Sequence, residues 1–151
     1  MEIGACARSR DVFLVESDRL AGQCCSMQTP RARRGRRAQS SGVRAEALAC
    51  AALERDGWTI LGRRVRTAAG EIDILAESAG VLAIVEVKQR RTLGDAAVSV
   101  SARQRARLMG AAEIVLGEHP EWGREGVRFD VIVIDAADAL RRVCDAFRLE
   151  G

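Results

Sequence analysis

From residue 41 onward, apolar and polar positions along the chain follow two rhythms. "SGVRAEALACAALERDG" has helical spacing, with Ser41 as the expected cap and Gly57 as the stop. Its core-facing stripe is Glu46, Ala49, Cys50 and Leu53, with Arg44 and Arg55 on the opposite face. Period-two stretches follow, predicting strands over 58–66, 71–76 and 81–88 with turns at "TAAG" and "ESAG". The loop "QRRTLGDAAVSV" leads to a second helix over about 101–116, whose stripe is Ser101, Gln104, Leu108, Ala111 and Val115. Arg103 and Arg107 diverge from that stripe. "VRFDVIVID" predicts a buried strand, and a short helix is expected near 138–143. The order αβββαβ packs naturally as a three-layer α/β domain around a mixed central sheet.

The first 40 residues show neither rhythm apart from "VFLV" and are expected to form a poorly ordered basic extension to a folded domain over 41–151. Met27 is an alternative start, which would make the segment before it dispensable for folding. Arginines 31, 33, 34, 36, 37 and 44 lie close together with no acid among them, although the net charge is only +3. Such a segment suits a polyanion partner, and an arginine-rich composition equally reflects codon bias. Five cysteines without paired spacing and a single histidine exclude a zinc or disulfide framework. Neither a secretory signal nor a membrane-length apolar run is visible, so the expected location is cytoplasmic, away from any membrane.

Within "GEIDILAESAGVLAIVEVKQR", four charged residues interrupt apolar strands: Glu71, Asp73, Glu86 and Lys88, the last being the chain's only lysine. Alternation puts Glu71 with Asp73 and Glu86 with Lys88. If Ala76 pairs with Val81, Glu71 faces Glu86, and all four gather on one side at the end away from the turn. The other face would be Ile72, Ile74, Val81, Ala83, Val85 and Val87. Gathered carboxylates repel one another, more so as water is excluded, and need a counter-charge. Lys88 supplies one, and a hard divalent cation, Mg²⁺ or Mn²⁺, would supply two. The alternative is a solvated sheet edge with surface ion pairs of little worth. Glu46 adds a carboxylate on the core-facing side of the first helix. A helix start also tolerates such a charge for its own reasons. Gln104 would sit near the polar end of the sheet, able to hydrogen-bond a phosphate or a carboxylate. Arg63, Arg64, Arg66, Arg90 and Arg91 border the charged end and could grip a nucleic-acid backbone. An aromatic content of 3% offers few platforms for stacking bases.

The segments "AEALACAALERDGWTILGRRVRTAAGEIDILA", "VEVKQRR", "GDAAVSV", "RLMGAA" and "RFDVIVID" resemble the YraN family of predicted endonucleases over about residues 41–135. That family is regarded as distantly related to archaeal Holliday junction resolvases, within the restriction-endonuclease-like PD-(D/E)XK superfamily. The resemblance implies a restriction-endonuclease-like fold and metal-dependent hydrolysis of phosphodiester bonds in DNA, including structured or branched DNA. It assigns Asp73, Glu86 and Glu46 to Mg²⁺ or Mn²⁺, and Lys88 to the attacking water or the phosphate charge. Glu71 and Gln104 are accessory, while Arg63, Arg64, Arg66, Arg90, Arg91 and Arg103 serve the nucleic acid. Ile72 stands where the superfamily has proline, and Gln104 where the family often has lysine. Resolvase-like cutting of two strands would need a symmetric homodimer. The competing expectation is a nucleic-acid-binding module that keeps the fold without turnover.

Overall fold

The computed structural model describes residues 12–13, 30–93 and 100–148. Its elements are β1 (Val12–Phe13), α1 (Pro30–Arg55), β2 (Thr59–Arg66), β3 (Glu71–Ser78), β4 (Val81–Gln89), α2 (Ala102–Glu118), β5 (Gly126–Ile134) and β6 (Leu140–Phe147). Among the described residues the strands form one six-stranded sheet in the order β1-β6-β5-β4-β3-β2. β4 and β5 run parallel, linked across the sheet by α2, and the other pairs are antiparallel. α1 packs on one face, where Ala45, Ala49 and Leu53 meet Ile74, Val85 and Ile132. On the other face Leu108, Ala111 and Val115 of α2 meet Leu82, Ile84 and Val131. This is the three-layer, restriction-endonuclease-like α/β arrangement that the sequence implied.

Four expectations change. α1 begins at Pro30, so Ser41 lies inside the helix and is no cap. Proline is tolerated in a first turn, and the arginines and alanines that follow are good helix formers. Residues 30–40 are therefore helical, and Val12 and Phe13 pair with Arg141 and Leu140. The rest of the expected extension lies outside the described residues. The helix expected near 138–143 is instead the start of β6, antiparallel to β5. Asp135 makes that reversal, its Oδ1 accepting the main-chain N–H of Ala137 and of Ala139.

The other two corrections bear on the site. β3 and β4 join through a two-residue turn with positive φ at both Ala79 and Gly80, 49° and 77°, the signature of a type I′ hairpin. Ser78 therefore pairs with Val81 and Ala76 with Ala83, two residues away from the expected register. A two-residue shift by itself turns no side chain to the other face, because the strand period is two. It changes the opposition, however: Glu71 no longer faces Glu86, and the paired ladder ends at Ile74–Val85, one residue short of Asp73. Strict alternation also fails at Asp73, since Ile74 packs under α1 whereas Ile72 belongs to the core under α2.

Leu108 is fully buried where α2 meets the sheet, so Leu108→Ala should destabilise the fold by about 2–5 kcal/mol. Arg103→Ala, on the exposed side of α2, should stay within about 0.5 kcal/mol. Urea denaturation with an unchanged m value checks both.

Candidate active site

The hairpin ladder of β3 and β4 stops at Ile74–Val85. Beyond it the main-chain N–H of Val87 is accepted by the side chain of Asp73, at 2.8 Å to Oδ2. A carboxylate thus replaces a carbonyl between the two strands, held by the backbone of the residue that follows Glu86. Burial raises the Asp73 pKa to about 6, and Glu86 and Glu46 add to the rise. The Val87 hydrogen bond and Lys88 oppose it. Asp73 is a carboxylate kept ready to give up its charge to a proton or to a cation.

Glu86 is 5% exposed. Its Oε1 takes both the Lys88 ammonium, at 2.7 Å, and the Gln104 side-chain amide. Its Oε2 is buried with no hydrogen-bond partner. The Arg107 guanidinium lies 3.9 Å from that oxygen, close enough to attract and too far to hydrogen-bond. β4 delivers Glu86 and Lys88 to the side on which α2 packs, and the Ser101 cap starts α2 so that Gln104 meets them in its first turn.

Of the remaining acids, Glu71 is hydrogen-bonded by arginine and Glu46 only has one nearby. Glu71 receives the Nε of Arg66 at 3.0 Å and of Arg64 at 3.2 Å. These bonds, Arg66 first, hold its carboxyl below the ordinary range. Glu46, on α1, has Arg64 at 3.9 Å. Arg64 reaches both acids from a left-handed conformation, φ 50°, within β2. The four charged residues of β3 and β4 are therefore not one cluster. Asp73, Glu86 and Lys88 come together, with Gln104 added, whereas Glu71 is bonded to Arg64 and Arg66; Glu46 lies 3.9 Å from Arg64 and its charge also reaches Asp73.

Among the described residues no group of three or more His, Cys, Asp or Glu side chains converges to hold a metal ion. The three-carboxylate shell of Asp73, Glu86 and Glu46 is thus not closed. Two carboxylates nevertheless fit a hard cation. Mg²⁺ commonly takes one or two carboxylates and completes its shell with water and phosphate oxygens. The unpartnered Oε2 of Glu86 and the readily neutralised Asp73 are the acceptors such an ion requires.

The arginines expected to meet a nucleic acid divide. All six are exposed, but Arg64 and Arg66 are also engaged by Glu71, whereas Arg63, Arg90, Arg91 and Arg103 are not. Arg90 and Arg91 border an open hollow of about 540 Å³ with Arg44, Asp135 and Asp138. Sequence reasoning missed two features. Arg107 was read as pointing away from the sheet. Asp130, on β5, is a second buried acid, receiving Arg128 at 3.0 Å, Arg142 at 2.6 Å and the Asp145 N–H at 3.0 Å. Both arginines also lie over the Trp58 ring. The hint for Asp130 was its position inside the apolar run "VRFDVIVID".

With this geometry in view, comparison with known proteins gives a single answer. Residues 45–134 match the family described as "Uncharacterised protein family UPF0102". The chain belongs to UPF0102, the YraN family. A UPF0102 protein of Granulibacter bethesdensis is 62% identical over 117 residues, covering 78% of this chain and 74% of that protein. Another from Azorhizobium caulinodans is 43% identical over 123 residues, covering 82% and 94%. One from Acidiphilium cryptum is 42% identical over 120 residues, covering 80% and 93%. The matched span of UPF0102 contains Glu46, Asp73, Glu86, Lys88 and Gln104. No helix among the described residues is long and apolar enough to cross a membrane.

The raised Asp73 pKa carries a stability consequence with a definite sign. Between about pH 4 and 6 the folded chain holds a proton that the unfolded chain releases, so this group favours folding as pH falls through 6. Asp73→Asn should therefore raise the Tm of the metal-free protein by a few degrees above pH 6. That advantage should fade below about pH 4, as thermal melts across a pH series would show.

Proposed function

We propose that this protein is a metal-dependent endonuclease that hydrolyses phosphodiester bonds in DNA, including structured or branched DNA. The observation that carries the reading is the state of Glu86. It is a buried carboxylate with one oxygen saturated by Lys88 and Gln104, the other without a hydrogen bond, and Asp73 near enough that the Glu86 charge raises its pKa. Buried polar atoms in folded proteins nearly always have a hydrogen-bond partner, so an unpartnered oxygen at that depth asks for one.

Asp73 and Glu86 are the residues that would hold Mg²⁺ or Mn²⁺, with Glu46 at the margin. When bound, the ion supplies Lewis acidity at the scissile phosphate and offsets its negative charge. Gln104 locks the Glu86 carboxylate in one orientation. Lys88 spends one of its three donors on Glu86, and its side chain is 20% exposed, so the others can orient a water or steady charge growing on the phosphate oxygens. An arginine there would be bulkier and would never release a proton at neutral pH. The exposed Arg63, Arg66, Arg90, Arg91 and Arg103 would take backbone phosphates at either side. Cutting both strands of a branched duplex would use two copies related by a dyad.

The test is incubation with linear, flapped and four-way DNA, with and without Mg²⁺ or Mn²⁺. Wild type should cut at least one substrate only with metal, and Glu86→Ala should abolish cutting. Lys88→Ala and Lys88→Arg should each slow the chemical step by roughly 10²-fold or more while metal binding persists. Wild-type protein that binds DNA with metal present yet leaves every substrate intact would instead establish a binding module without turnover.

A further inference from the structure

The turn between β2 and β3 is pressed against α2 at two glycines. A Cβ on Gly110 of α2 would stand 3.2 Å from the Ala69 Cβ. A Cβ on Gly70 would stand 2.5 Å from Cγ and 2.6 Å from Cδ of Arg107. Gly70 also has φ 152°, a conformation that side chains disfavour. The turn is rigid: Thr67 and Gly70 exchange main-chain hydrogen bonds, and the Thr67 hydroxyl bridges Ala69 and Gly70. The aliphatic stem of Arg107 therefore lies across bare backbone, and its guanidinium extends to within 3.9 Å of Glu86 Oε2.

That placement does not satisfy Glu86, because the distance is too long for a hydrogen bond. Nor is the guanidinium buried, since the Arg107 side chain is 43% exposed. An aligned cation is thus held at the mouth of the site, beside the unpartnered oxygen, with donors open to solvent. A guanidinium in that position matches two oxygens of a phosphate diester.

We infer that Arg107, seated across Gly70, contacts the phosphate diester that lies against Glu86, and so acts directly on the bound nucleic acid. The inference rests on the proposed nuclease reading for its ligand. Gly70 is the positioning residue, because any side chain there would lift the arginine off the turn.

Binding of a DNA duplex with Ca²⁺ in place of Mg²⁺, followed by fluorescence anisotropy from low to moderate salt, gives a readout independent of cleavage. Arg107→Gln should lower the slope of log affinity against log salt by about 1. With Mg²⁺ it should also slow cutting by about 10²-fold. Arg107→Lys should restore the slope, since charge is retained, but not the full rate, since the fork is lost. Gly70→Ala should act on rate like Arg107→Gln and add little in the Arg107→Gln background. A wild-type slope in Arg107→Gln would overturn the assignment, as would a wild-type protein that binds no DNA. Wild type that binds but never cuts would refute the nuclease reading alone, with Arg107 still judged on the slope.

Discussion

The end of the β3–β4 hairpin is organised by the cost of burying negative charge. Asp73 enters the gap where the ladder of main-chain hydrogen bonds stops, and Glu86, bonded to Gln104 of α2, is near enough to raise its pKa. Removing water from two neighbouring carboxylates is unfavourable unless cations or donors compensate. The surrounding elements supply those partners: Lys88 two residues along the strand, Gln104 from the first turn of α2, and Arg107 over the β2–β3 turn. Even so the compensation is incomplete, since Asp73 still titrates near pH 6 and one Glu86 oxygen has no hydrogen bond.

The second buried acid shows what complete compensation looks like in the same sheet. Asp130 shares the β5 strand with fully apolar neighbours, yet two arginines and a main-chain N–H engage both of its oxygens. Trp58 backs both arginines, closing a network that ties β5, β6 and the start of β2 together. A satisfied acid of this kind specifies packing. At Glu86, by contrast, one buried oxygen has no hydrogen bond, and the proposed metal site rests on that difference.

Much of this arrangement was legible in the chain because its signals are periodic. The apolar stripes of α1 and α2 and the alternation of β3 and β4 define three layers, and Asp73, Glu86 and Lys88 stood out as charges inside apolar strands. Register depended on a subtler matter. Ala79 accepts a left-handed conformation beside Gly80, which lengthens the hairpin and shifts its register by two residues, so that Glu71 no longer faces Glu86. Local patterns do not announce a non-glycine residue in that conformation. The β6 strand was read as a helix because "ADALRRV" has helical composition, while its strand state depends on pairing with β5. Arg107 was invisible for a different reason. Its role follows from the close approach of a glycine turn, a tertiary contact that helical spacing cannot encode.

The proposed function requires that Asp73 and Glu86 together bind a divalent cation. Calorimetric titration of Mn²⁺ into wild type and into the Asp73→Asn, Glu86→Gln double variant, at pH 7.5 and again at pH 5.5, asks this directly. One ion should bind wild type at pH 7.5, more weakly at pH 5.5 as protons compete for Asp73, whose pKa is about 6. The double variant should bind none. Equal Mn²⁺ binding by the two proteins, or no binding by wild type, would contradict the account.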